Sequence, residues 1–212
     1  MQIIDKTYFQ KANLLNIPLS QAVPTANASI STPNDTLYLD NICERVEKSI
    51  LLNAFQLAMY NDLQLALADI NNPLYASYKK LVEGEEYDGK VWAGLNDDYS
   101  FIACKVYEEY LTETNSRLSS NGAIMTKKEG ADNYTPSYKI AEASQLFYIG
   151  YQSGYLFDPV IQNNFIDWYG CSDDINVSLY QYMMDKKEDF PLFDIQKFRV
   201  YDQLSEKNSF GL

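Results

Sequence analysis

The chain reads as a mainly α protein: a helical bundle with a long loop or short β excursion between two long helices, followed by an irregular C-terminal extension. Three observations predict this. Apolar residues recur at helical spacing over long stretches, helix-starting residues stand in front of those stretches, and the one long interruption, residues 116–136, carries turn and strand signals instead. With 212 residues, 46% of them hydrophobic and 22% charged, the chain has enough apolar material for a core and too little charge for disorder.

Taken in order, residues 1–33 form an N-terminal arm: a short amphipathic piece around Tyr8 to Leu15, then NIPLSQAVPTANASISTPN, whose Pro, Ser, Ala and Thr content suits an extended arm or ordered loop. Asn34 or Asp35, after Pro33, starts helical sequence that runs to Ile70 as two segments or one bent helix. Within it Leu52, Phe55, Met59, Leu63, Ala66, Leu67 and Ile70 make a broad apolar face, and Asn53, Gln56, Tyr60 and Gln64 a narrow polar stripe. A short helix from Pro73 to Val82 and an acidic loop, EGEEYDG, come next. Asn96, Asp97 or Asp98 then caps a helix that buries Tyr99, Ile102, Ala103, Val106 and Tyr110 and turns Lys105, Glu108, Glu109 and Thr112 outward.

The excursion follows. Asn121 and Gly122 signal a turn, Ala123, Ile124, Met125 and Thr126 a short strand, and Lys127 and Lys128 open a polar loop. A strand standing alone leaves backbone donors and acceptors unpaired, so either the segment folds back on its own chain or a strand of another chain meets it. These eight residues are the candidate interface. Thr135 and Pro136 start the next long helix. The helical core domain thus spans residues 34–157, and residues 158–212 form the extension, with a short helix from Val177 to Lys186 and too small a core to stand alone.

Enzymatic chemistry finds little footing. The chain contains no histidine, which removes Ser-His and Cys-His pairings. It also lacks the glycine-rich phosphate loops, the GxSxG elbow and the HExxH zinc motif. The carboxylates of EGEEYDG and NDDY lack the alternating spacing of a calcium loop and read as a solvated loop and a helix cap. No catalytic residue, metal site or cofactor is expected. Cys43, Cys104 and Cys171 read as thiols in a reducing compartment, Cys104 as a small buried hydrophobe. Trp92 reads as a core residue at a helix entry or, alternatively, an exposed interface anchor. No apolar run approaches the roughly eighteen residues that a membrane span needs, and the opening MQIIDKTYFQ lacks a signal peptide's apolar block, so synthesis in the cytoplasm is expected. The net charge of -12 opposes a grip on nucleic acid yet suits a conduit along which DNA slides. Eighteen tyrosines favour protein contacts.

The order of these elements, with the apolar signatures SILLNAFQLAMYNDLQLAL, KLVEG, VWAGL, SFIACKVYEEYL and the SSNGAIMTKKEGA excursion, resembles head-tail connector (adaptor) proteins of tailed bacteriophages, most of all the neck ring proteins of crAss-like phages. The resemblance covers roughly residues 1–157. It implies a virion protein without enzymatic activity, made in the host cytoplasm and placed at the head-tail interface. There it would form a homo-oligomeric ring, a dodecamer, that docks on the portal protein, meets other tail or neck proteins and lines the passage of genomic DNA. The alternative from the residues alone is a small acidic helical protein that docks a basic partner.

Overall fold

A computed structural model describes residues 2–10, 15, 17, 35–98, 100–119, 122–125, 137–152 and 176–201. Among these the chain is mainly helical, as the sequence predicts. Five α-helices lie in the order α1 (Asp35–Ala68), α2 (Ala76–Glu83), α3 (Phe101–Asn115), α4 (Ser137–Gln152) and α5 (Leu179–Asp185). Two antiparallel hairpins interrupt them: β1 (Glu85–Tyr87) with β2 (Lys90–Trp92), and β3 (Ser116–Ser119) with β4 (Gly122–Met125). The chain divides into two compact units interleaved in sequence, residues 1–50 with 95–147 and residues 51–94 with 148–212.

In the first unit, α1 buries Leu39, Ile42, Cys43, Val46 and Ile50, which recur at three- and four-residue steps on one face. The segment before it belongs to the same core: Ile4, Tyr8 and Phe9 are buried, the last two in a 3-10 turn over Lys6–Gln10. Tyr8 ties this turn to the start of α3, donating its hydroxyl hydrogen to the Asp97 carbonyl (2.7 Å) and accepting from the Ser100 N–H (3.0 Å). The first two turns of α3 are buried all round, which differs from the expected two-faced helix. Lys105 is 8% exposed, and Tyr107 takes the core position expected of Tyr110, which is half-buried. A buried ammonium persists only if paired. Lys105 has Glu108 at 3.3 Å and lies 5.6 Å from the Phe147 ring centroid.

In the second unit, Leu51, Ala54, Phe55, Met59, Leu63, Ala66 and Leu67 of α1 are buried, but the expected polar stripe does not face water. Asn53, Gln56, Tyr60 and Gln64 are half-buried, and Leu57, Ala58, Asn61, Leu65 and Ala68 are the exposed face. With Met59, Leu63 and Ala66 buried, helical spacing puts Leu57, Asn61, Leu65 and Ala68 on the far side and the polar stripe at the flank. The helix also breaks here: Gln56 has φ 61° and ψ 170°. The expected acidic loop is instead the β1–β2 hairpin, closed by Asp88 and Gly89, both at positive φ, as a two-residue primed turn. Gly84 and Gly94 let the end of α2 and the exit of β2 cross. A Cβ on Gly84 would stand 2.6 Å from the Trp92 carbonyl oxygen, and one on Gly94 2.6 Å from that of Val82. Both residues also have positive φ. The expected C-terminal helix is present as α5, capped by Ser178, whose hydroxyl accepts from the Gln181 N–H.

Candidate functional site

The candidate interface of the excursion is described only in part. Gly122, Ala123, Ile124 and Met125 form β4, whereas Asn121, Thr126, Lys127 and Lys128 lie outside the described residues. The strand does not stand alone. It pairs with Ser116–Ser119, which continues directly from α3, in the register Ser116↔Met125, Arg117↔Ile124, Leu118↔Ala123 and Ser119↔Gly122. Of the two expected alternatives, the described residues show the first: the segment folds back on its own chain, on a strand that ends three residues earlier, in sequence read as loop because SRLSS carries serines and a charge. Among the described residues the ribbon has two strands only, so both outer edges lack a third.

Of the EGEEYDG carboxylates, Glu85 is tied to other elements. Glu85 accepts from Tyr182 Oη at 2.9 Å and pairs with Lys80 at 2.9 Å and Lys186 at 3.6 Å. Burial raises its pKa, but these partners outweigh burial and hold it below the usual carboxylate value. Asp185 follows the same logic with Lys90 (2.6 Å), Gln181 and Tyr87. No group of three or more metal-ligating side chains occurs among the described residues. Trp92 is a core residue, though in a strand and not at a helix entry. Its indole N–H donates to the Leu81 carbonyl at 2.9 Å, and its ring stacks on Tyr182 with centroids 5.0 Å apart. Cys43 and Cys104 are buried, and burial pushes the Cys43 thiol up to about 12, so neither is poised as a nucleophile.

A constellation that the sequence reading missed lies in the second unit, where residues 197–201 run past the break in α1. The Arg199 N–H donates to the Asn53 carbonyl at 3.0 Å. Gln56 Nε2 donates to the Lys197 carbonyl at 2.8 Å, and Asn53 Nδ2 to Tyr201 Oη at 2.9 Å. From α4, Tyr151 Oη donates to the Arg199 carbonyl (2.9 Å), while the Gln152 amide donates to the Tyr201 carbonyl and accepts from its N–H, both at 2.7 Å. Phe198 and Tyr201 pack on the Tyr151 ring at 4.8 and 5.2 Å. Neutral side chains thus read the backbone of an extended segment. The backbone of Gln56 sits in a region open almost only to glycine, a strain of about 1–3 kcal/mol. The signal available in the sequence was Asn53 and Gln56, polar and three apart at the head of the polar stripe.

The second feature with functional content is the exposed face of α1 beyond the break. Leu57 and Leu65 are 64% and 60% exposed, and Leu74, just past the helix, is 86% exposed. A helix apolar on nearly every side is ordinarily enclosed. No family model, curated protein or solved structure matches the chain.

Proposed function

We propose that the chain is a structural subunit that assembles side by side with copies of itself, as a ring-forming head-tail connector of a tailed phage. The observation that carries this reading is the outward face of α1, where Leu57, Ala58, Asn61, Leu65 and Ala68 present an uncharged, largely apolar strip on a chain of net charge -12. Like-charged copies repel wherever acidic surfaces meet, so a strip without charge is where they can approach, and its leucines supply the apolar burial that association needs. The β3–β4 ribbon, with both edges open among the described residues, adds a second means of joining chains, by strand addition to a neighbouring subunit or the portal protein. The resemblance in element order supplies the ring, the portal and the passage of DNA through the lumen.

Native mass spectrometry and electron microscopy of the purified chain, alone and with portal protein, test this. The expected result is a closed ring. Leu57→Asp combined with Leu65→Asp should reduce the assembled fraction by about tenfold or more while leaving helix content unchanged. A chain that remains monomeric in both conditions overturns the reading.

A further inference from the structure

We infer that residues 197–201 are a releasable strap that keeps α1 broken, and that α1 closes into one uninterrupted helix when the strap leaves. The inference is independent of the ring. Sharp helix kinks have causes: proline, glycine or serine pairs, a bulge, or a group inserted into the hydrogen-bond ladder. The sequence around the break, ILLNAFQLAMY, contains no proline, glycine or serine, and its Leu, Ala, Gln and Met are strong helix formers. The inserted group is the strap. An unbroken helix directs the Leu57 N–H to the Asn53 carbonyl; here that carbonyl accepts from the Arg199 N–H at 3.0 Å.

Local preference and tertiary contact therefore pull in opposite directions at Gln56, a non-glycine residue with φ 61°. A segment can hold a helix in its minor conformation only if it binds that conformation better. The strap meets this condition. Its bond to the Asn53 carbonyl uses an acceptor that the closed helix spends on itself, and Gln56, the strained residue, contributes its own amide to the Lys197 carbonyl. The anchors from Tyr151 and Gln152 then add affinity without opposing the break, since they belong to α4. Seating the strap and breaking the helix are one event read at two places.

Amide hydrogen exchange on the full chain tests the coupling. With the break present, residues 57–59 follow the non-helical Gln56 as the first turn of a new helix, where amides lack the acceptors four residues earlier. Arg199→Pro deletes the donor N–H, and Phe198, at φ -60° and ψ 120°, already has the extended backbone that a following proline requires. In that variant, exchange at residues 57–59 should slow by about tenfold or more as they enter a continuous helix, while residue 201 loses protection. Unchanged or faster exchange at 57–59, general unfolding included, overturns the inference.

Discussion

Each unit ties a segment distant in sequence to α1, and the two ties use opposite chemistry. In the first, the buried carboxyl of Glu47 receives the Ile3 and Ile4 N–H groups, with Oε2 at 2.9 Å from both. In the second, residues 197–201 are received by amides, a hydroxyl and one backbone carbonyl, none of which carries charge. The difference teaches where acidity acts. A neutral clasp is indifferent to pH, whereas a carboxyl enclosed at 4% exposure must choose between losing its water and losing its proton. Burial dominates at Glu47, and despite the two backbone donors its pKa is pushed up to about 7.

The largest expected effect breaks the comparison at that carboxyl. Its folded pKa lies above its unfolded value of 4.5, so the folded state holds the proton more tightly. The resulting stabilisation is fully present below pH 4.5 and is lost as pH rises through about 7, a loss of order 3 kcal/mol. Both N–H groups reach Oε2 and Oε1 takes only a longer second contact from Ile3 (3.1 Å), so the acid protonated on Oε1 keeps the two shorter bonds and Glu47→Gln mimics that state. Hydrogen exchange of residues 3–10 should report an attachment that weakens from pH 5 to pH 8 in the natural chain and stays level in Glu47→Gln. A slope retained in Glu47→Gln would place the titrating group elsewhere.

An intermediate effect sharpens the comparison from the other unit. Gln152→Leu removes two bonds to the Tyr201 backbone and should weaken the seating of residues 197–201 by about 2 kcal/mol. The penalty, read from local exchange, should be equal at pH 5 and pH 8. Acid affects this unit differently. Glu85 and Asp185 have folded pKa values below their unfolded 4.5 and 3.8, so what they contribute is present above those values and disappears as pH falls through the lower folded ones. The smallest effect concerns an exposed pair of the first unit. Arg45 reaches Glu109 at 2.9 Å and Glu113 at 2.5 Å, but its side chain is 58% exposed, and Arg45→Met should change stability by no more than about 0.5 kcal/mol in chemical denaturation.

What could be read from the sequence was whatever depends on near neighbours. The start of α1 at Asp35, the helix over residues 76–83 and the capped α5 follow from caps and spacing within a few residues. What could not be read depends on distant ones. Glu85 and Glu86 look like solvated charges until Lys186 and Tyr182, about a hundred positions later, meet Glu85 and leave a strand where a loop was expected. Lys105 looks outward-facing until Phe147 lies beside its ammonium. The break at Gln56 has no breaker residue because its cause is the backbone at Arg199. Of the candidate interface, the turn and strand signals sufficed to locate β4, and its partner was hidden by polar composition.

The crossing of Gly84 and Gly94 bears on how relatives of this chain are to be found. Each site is closed to any side chain by a main-chain oxygen, and main-chain oxygens do not change when sequences diverge. Two glycines ten positions apart are therefore demanded by the backbone itself. A search weighted on that pair would follow the architecture after the remaining similarity has faded. It would gather proteins by how they are built, with their roles left to be read from the faces they expose.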